Sequence, residues 1–350
     1  MRQLTIGPHT IDDASDCYVI AEIGHNHQGS LEKCKNLFRM AKECGAHAVK
    51  LQKRDNKVLF TKAMYDSPYD HENSYGATYG EHRDFLEFGV DEYKALIDYA
   101  REIGITFFAT AFDMPSADFL RELNMPAYKL ASADLTNTPL LRKVAEFGKP
   151  MIVSTGGGSL EDVRRAYETI MPINKQLCIL QCTAAYPVEP EDMNLRVIET
   201  FRREFPDVVI GLSDHQNGIA MSTVGYVLGA RLIEKHFTWS HAAKGTDHAF
   251  SLEPIGMRKL VRDLQRARVA LGDGIKQPLP VEAKPLAKMG KKLVASRAIP
   301  AGRVLTVDDV AVKSPNDGLP PYQIDKVLGM VATRDLAAEE ALSFEILQSR

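Results

Sequence analysis

Eight short apolar runs, each followed by a stretch of helical periodicity, limit what this chain can fold into more than any other feature. The runs are YVIAEIG (18–24), AVKLQK (48–53), TFFATAF (106–112), AYKLAS (127–132), MIVSTG (151–156), LCILQC (177–182), VVIGLSD (208–214) and LIEKHF (232–237). They are short and rich in β-branched and aromatic residues, as buried strands are. Between them lie amphipathic segments such as LEKCKNLFRMAKECG, DEYKALIDYAREIG and SLEDVRRAYETIM, several of which stop at glycine. TPLLRKVAEFGKP shows both signals, a Thr-Pro start and a Gly-Lys-Pro finish. Eight such repeats over roughly 250 residues are what a (β/α)8 (TIM) barrel requires. An open doubly wound sheet competes, but it needs a glycine fingerprint after the first strand, and EIGHNHQGS has no G-x-G-x-x-G.

The alternation stops near residue 272, which bounds a barrel domain at 1–272. GDGIKQPLPVEAKPLAKMG follows, and residues 273–285 read as a Pro-rich linker. KKLVASRAIPAGRVLTVDDVAVKSPNDGLPP and IDKVLGMVATRDLAAEEALSFEIL then show short alternating strands between Gly and Pro turns, so 286–350 read as a small, mostly β domain. A chain of 350 residues can bury one large core and one smaller one. Net charge of −3 gives no basic footprint for nucleic acid. No apolar run approaches the roughly 20 residues of a membrane span, and the first residues lack the apolar core of a signal peptide. Five cysteines, Cys17, Cys34, Cys44, Cys178 and Cys182, have no CxxC spacing and read as reduced thiols of a cytoplasmic protein.

In such barrels the site forms at the C-terminal strand ends and the loops after them. Those ends supply Glu22; Lys50, Gln52 and Lys53; Thr110; Lys129, Ser132 and Asp134; Ser154 and Thr155; Gln181, Thr183 and Tyr186; Ser213, Asp214 and His215; and Glu234, Lys235 and His236. Lys50 and Lys129 with Ser132, Ser154 and Ser213 make a cationic, hydroxyl-rich mouth suited to phosphate and carboxylate. STGGGSLEDV adds a glycine-rich turn into a helix start, where free N–H groups favour anions. His215 and His236, at the ends of adjacent strands, can share one divalent metal and leave positions open. Glu22 can order water or move protons. His25, His27, His47, His71 and His82 read as hydrogen-bonded structural residues, His27 also lying at the mouth. The long connection after the second strand, NKVLFTKAMYDSPYDHENSYGATYGEHRDFLEFG, reads as a lid or substrate wall.

AEIGHNHQGS, VKLQ, YKLASAD, STGGGS, LQCTAAYP, GLSDHQNG, EKHFT and GTDHAFS, in this order, resemble the sialic acid synthase family, and VASRAIPAG…LTVDDVAVKSP resembles its antifreeze-like (SAF, β-clip) terminal domain. The resemblance implies a cytoplasmic enzyme joining phosphoenolpyruvate to an N-acylmannosamine or mannose, free or 6-phosphorylated, with C–O cleavage and phosphate release. It implies Mn2+ or Mg2+ on His215 and His236, and phosphoenolpyruvate on Lys50, Thr110, Lys129, Ser132, Ser154 and Ser213. Gln52, Tyr186 and Asp247 would hold the sugar, and Glu22 would handle protons. It also implies a domain-swapped homodimer with the terminal domain over the partner's mouth. Where bacterial members acting on the free sugar carry an Arg-Pro pair, this chain has Ser314-Pro315. NSYGATYGEHRDFLEF and MGKKLVA resemble instead the animal-type members that use 6-phosphates, which directs attention to Lys62, His82 and Arg83. Synthases of legionaminic or pseudaminic acid, or of shorter 3-deoxy-2-keto acids, are the alternative readings. A non-catalytic barrel predicts loss of Glu22, Lys50, Lys129, His215 and His236, and all are present.

Overall fold

The computed structural model describes residues 2–350 and divides into two compact units, one ending at Gly272 and one spanning Asp273–Arg350. The first begins with an antiparallel hairpin that the sequence reading passed over, β1 (Gln3–Ile6) and β2 (His9–Asp12). Eight parallel strands then close a barrel: β3 (Tyr18–Gly24), β4 (Ala48–Lys53), β5 (Thr106–Ala111), β6 (Tyr128–Leu130), β7 (Met151–Ser154), β8 (Leu177–Cys182), β9 (Val209–Asp214) and β10 (Leu232–His236), with β10 returning to β3. Every residue of β3, β8, β9 and β10 is buried, as expected where helices cover the outer face and side chains fill the inner one. Several apolar runs outlast their strands: Phe112, Ser132, Thr155 and Phe237 leave the ladder to start the mouth loops.

Helix starts follow local chemistry. Ser30 caps the helix Leu31–Glu43 by accepting from Lys33 N, and Ser159 with Asp162 forms a capping box on Leu160–Ile170. The long connection is folded, with helices Asn56–Leu59, Lys62–Tyr65 and Tyr79–Leu86. Its aromatics pack together, Tyr75 on Phe85 at 4.8 Å and 7°. Tyr75 OH donates to Lys244 O at 2.7 Å, and Gly245 N donates to Asn73 Oδ1 at 2.9 Å, which ties this segment to the loop after β10.

The polar run in β10 is resolved by the two-residue period of a strand. Glu234 and His236 line the barrel's cavity. Lys235 faces the other way and pairs with Asp214 of β9 at 3.0 Å, with side chains 1% and 0% exposed. Ser222 Oγ donates to Asp214 Oδ2 at 2.5 Å. Removing one member of a buried pair strands the other charge. Asp214→Ala is therefore expected to destabilise the barrel by about 3–5 kcal/mol, read by urea denaturation.

The second unit opens with a 3-10 turn (Pro280–Glu282) and a helix (Ala283–Met289), so the stretch read as a linker carries regular structure across its expected end at 285. Two small antiparallel sheets follow, β11 (Lys292–Ala295) with β12 (Val310–Lys313) and β13 (Val331–Ala332) with β14 (Leu347–Gln348). They enclose a core of Leu293, Ile299, Leu305, Val327, Leu336, Leu342 and Leu347. Ser314 is exposed and accepts from Lys291 Nζ at 2.6 Å.

Asp309, fully buried, accepts from Arg297 Nη2 at 2.8 Å, Arg303 Nε at 3.0 Å, and Thr306 N and Oγ1. Burial alone would raise its pKa, but the hydrogen bonds from Arg297, Thr306 and Arg303 hold the carboxyl well below the usual range. A carboxyl whose folded pKa is depressed stabilises fully above its unfolded value of about 4 and loses that contribution as pH falls toward the folded one. Asp309→Ala is expected to cost this unit about 2 kcal/mol at neutral pH, with the gap to wild type narrowing in denaturation curves below pH about 4.

All five cysteines are buried and unpaired, and no described helix is long and apolar enough to cross a membrane.

Candidate active site

One cavity of about 540 Å³ at the C-terminal ends of the barrel strands collects the residues given catalytic, binding or metal roles from the sequence, Glu22, Lys50, Gln52, Thr110, Lys129, Ser132, Ser154, Tyr186, Ser213, His215, His236 and Asp247, whereas the strand-end residues Lys53, Asp134, Thr155, Gln181, Thr183, Asp214 and Lys235 lie outside it. Their registers explain the convergence. His236 is level with Glu22, Glu22 with Lys50, Gln52 with Thr110, Thr110 with Lys129, and Glu234 with Ser213.

The floor is a set of buried charges. Lys50 Nζ donates to Thr110 Oγ1 at 2.6 Å and lies 2.7 Å from Glu22 Oε2, an ion pair by distance though not aligned as a hydrogen bond. Lys129 Nζ donates to Ser154 Oγ at 2.6 Å and to Leu130 O at 3.1 Å. Between the two ammonium groups stands Glu234, 3.8 Å from each. Burial alone would raise Glu234's pKa, but Lys129 and Lys50 outweigh it and hold the carboxylate ionised. For Glu22 burial wins over Lys50, with repulsion from Glu234 adding to it, so its proton affinity is raised. Burial also pulls Lys129's pKa down, against Glu234.

Ser132 Oγ accepts from Gly156 N at 2.9 Å. A side chain at Gly156 would bring its Cβ 2.9 Å from that same oxygen and 3.0 Å from Ala184, so the glycine-rich turn lets the backbone come this close. At Gly24, where β3 bulges with φ +53°, a Cβ would press on Gln52 and Glu22 at 3.3 Å.

The two imidazoles meet edge-on at the ends of adjacent strands, ring centroids 5.4 Å apart and planes inclined at 60°, with Tyr186 4.2 Å from His215 and Phe250 4.9 Å from His236. Among the described residues no group of three or more His, Cys, Asp and Glu side chains is arranged to hold a metal. The pair itself suits a cation with open positions. His215 Nδ1 lies 3.1 Å from Thr183 O, a contact that places the proton there and frees Nε2. Buried His236 is kept neutral by desolvation, and its Nδ1 has no hydrogen-bond partner, being 3.6 Å from Asp247 Oδ2.

Some lining residues escaped the sequence reading. Glu234 was noted at its strand end without a role, and Arg54, Phe112, Cys182 and Thr246 were passed over. Arg54 follows β4 directly, so its place was accessible to the strand-end rule. Of the three loop residues considered, Arg83 lines the cavity. Lys62 is 89% exposed and pairs with Asp66, and His82 is buried behind the wall, accepting from Tyr75 N at 3.2 Å. His25 lies between Arg54 and Arg83, 3.3 and 3.4 Å from their guanidinium nitrogens, and does not line the cavity.

Residues 37–276 match the NeuB family and residues 292–347 the SAF domain. The chain is 42% identical over 334 residues to the N-acetylneuraminate-9-phosphate synthase of Homo sapiens, covering 95% of this chain and 93% of that protein. It is 34% identical over 339 residues to the N,N'-diacetyllegionaminic acid synthase of Legionella pneumophila, covering 95% of each. Among solved structures it resembles the N-acetylneuraminic acid (sialic acid) synthetase of Leptospira borgpetersenii, with TM-score 0.70 and 30% identity, over 81% of this chain and 95% of that one.

Proposed function

The chain belongs to the NeuB family and carries a SAF domain, and from that premise we propose that it condenses phosphoenolpyruvate with an N-acylmannosamine or mannose to a nine-carbon 2-keto-3-deoxy sugar acid. It is an enzyme of the synthase type for which its relatives are named. The observation that carries the reading is one cavity holding two buried lysine–hydroxyl pairs, Lys50 with Thr110 and Lys129 with Ser154, together with two adjacent imidazoles.

We assign Lys50, Thr110, Lys129, Ser132, Ser154 and Ser213 to the phosphate and carboxylate of phosphoenolpyruvate, because buried ammonium and hydroxyl donors are what those anions need. Gln52, Tyr186 and Asp247 face the sugar. His215 and His236 would hold Mn2+ or Mg2+, which supplies Lewis-acid polarisation of the aldehyde oxygen of the open-chain sugar. C3 of the enol forms the new bond to the aldehyde carbon, and that oxygen takes up a proton. Water adds at C2 and gives up a proton. The C2–O bond to phosphate then breaks, the new C2 hydroxyl passing its proton to the departing phosphate, which leaves a ketone and inorganic phosphate. Glu22, with its proton affinity raised by burial and Gln52 Nε2 donating to it at 2.7 Å, is placed to take and return a proton.

The test is phosphate release from phosphoenolpyruvate with Mn2+ and a panel of acceptors: N-acetylmannosamine, mannose, their 6-phosphates, a 2,4-diacetamido-6-deoxyhexose, arabinose 5-phosphate and erythrose 4-phosphate. Release with a hexose acceptor supports the reading. Release with the pentose or tetrose phosphate alone overturns the nine-carbon product, and no release with any acceptor overturns the reading itself. The SAF match favours the nine-carbon product over shorter acids.

We also propose a cytoplasmic homodimer whose terminal domain serves the partner's mouth. Deleting residues 286–350 is expected to leave a folded barrel with little synthase activity. A fully active truncation would exclude that role for the domain.

A further inference from the structure

We propose that Asn73, Tyr75 and Gln28 act as positioning residues for the acceptor: they clamp one peptide unit, Lys244–Gly245, and through it hold Thr246 and Asp247 in the wall of the cavity. The inference deepens the synthase reading, in which Asp247 faces the sugar, and rests on it. All three clamp residues stand outside the cavity.

Asp247 belongs to an irregular segment. Between β10 and the helix Pro254–Leu271 the chain runs through residues 237–253 with one 3-10 turn, His248–Phe250, as its regular structure. The base of this loop is closed, Phe237 pairing with Leu252. The limb after Asp247 is fixed from within: Ser251 Oγ donates to Asp247 O at 2.5 Å and accepts from buried Asn26 Nδ2 at 3.0 Å. The limb before it is fixed from outside. Lys244 O accepts from Tyr75 OH and from Gln28 Nε2, both at 2.7 Å, which uses both lone pairs of that carbonyl. Gly245 N donates to Asn73 Oδ1 at 2.9 Å. Both polar groups of one peptide bond are thus held by side chains of two other segments, immediately before Thr246 begins the cavity wall. Gly245 permits this: at φ +145° an added Cβ would lie 2.8 Å from His248 Cδ2.

The clamp residues are seated on other elements. Tyr75 stacks on Phe85 at 4.8 Å, and its N donates to His82 Nδ1 at 3.2 Å; both partners lie on the helix Tyr79–Leu86, which also carries Arg83 into the cavity. Lys244 Nζ lies 4.8 Å from the Tyr75 ring, a second tie between the same two residues. Gln28 lies in the turn after β3, its N donating to His25 O at 2.9 Å. One helix therefore sets Arg83 directly and Asp247 through Tyr75. The contacts lie at the rim, with Asn73, Tyr75 and Gln28 half-buried and Lys244 exposed. Water competes for such bonds, so each adds little to global stability, and its loss frees the loop rather than unfolding the barrel. Placement is far more sensitive, since a group displaced by about 1 Å can cost about 100-fold in rate. Lys50, Thr110, Lys129, Ser154 and Ser213, assigned to phosphoenolpyruvate, stand on barrel strands and take their positions without this loop. The clamp thus serves the acceptor and not its co-substrate.

The test uses Tyr75→Phe, Asn73→Ala and the double variant of the full chain, with the panel hexose that wild type turns over best. Tyr75→Phe keeps the ring on Phe85 and removes the hydroxyl alone. Each single variant is expected to lower kcat/KM for the acceptor by roughly 3- to 10-fold, mainly through KM. The double variant should lose less than the product of the two, because both residues act on one peptide unit. KM for phosphoenolpyruvate and the melting temperature should stay nearly constant. Hydrogen exchange followed by mass spectrometry should speed up in residues 240–247 and remain unchanged in the barrel strands. An acceptor KM unmoved in both single variants, or KM values for both substrates raised alike, would overturn the positioning role while leaving the synthase reading intact. If no acceptor turns over, the synthase reading fails by itself and exchange decides on the clamp: faster exchange confined to 240–247 supports it, and unchanged exchange refutes it.

Discussion

His236→Ala is expected to lower metal-dependent kcat by about 1,000-fold while the barrel stays folded. The size follows from what a Lewis acid contributes to a developing alkoxide, several kcal/mol, of which about 4 kcal/mol corresponds to three decades. The retained fold follows from the position of the side chain. His236 ends β10 and faces the cavity, its Nδ1 makes no hydrogen bond, and its ring packs only at the mouth, beside Phe250 and Tyr186. Truncation therefore breaks no protein hydrogen bond at that nitrogen and opens space into an existing cavity rather than into the core. The measurements are turnover against Mn2+ concentration, Mn2+ binding by calorimetry, and thermal melting of the apo protein. Undiminished turnover in Mn2+ would remove the metal assignment. A collapsed melting curve would mean that His236 has a structural role instead.

Much of this could be read from residues because a barrel converts order into proximity. Glu22 and Asp247 are far apart in sequence, yet closure of β10 onto β3 brings both into one cavity. The strands were legible because parallel strands buried on both faces must be nearly continuous apolar runs. Their ends were less so: β6 keeps only Tyr128–Leu130 of its six-residue run, since the chain turns into the mouth at Ala131. Glu234 shows a signal that was present but unused. If His236 faces the cavity, the residue two before it must also, and Lys235 must not. Arg83 carried no such signal. Its position depends on how a folded connection lies over the mouth, held by Tyr75 on Phe85 and by the Tyr75–Lys244 contact, which are tertiary choices without periodicity. The N-terminal hairpin was missed because its two strands have four residues each, although Gly7 at φ +56° turns them and Leu4, Ile6 and Ile11 are buried.

The second large effect separates stability from chemistry at one residue. Lys129→Met is expected to lower kcat/KM for phosphoenolpyruvate by about 100-fold, the worth of a buried ammonium donor to an anion. It is also expected to destabilise the barrel by about 3–5 kcal/mol, because Glu234 loses one of its two neighbouring cations while staying buried. Replacing both members, Lys129→Met with Glu234→Leu, removes the stranded charge. It should recover most of the stability and none of the lost efficiency, since in the proposed assignment only the cation touches the substrate anion. In wild type, burial holds Lys129 below its ordinary pKa despite Glu234, so affinity for phosphoenolpyruvate should weaken as pH rises through that lowered value, earlier than an exposed lysine would dictate. The outward pair Lys235–Asp214 is the control: Asp214→Ala removes the same kind of buried partner but should leave KM for phosphoenolpyruvate unchanged. A double variant as unstable as Lys129→Met would show that packing, not the stranded carboxylate, sets the cost. A single variant with unaltered KM for phosphoenolpyruvate would remove Lys129 from the anion site.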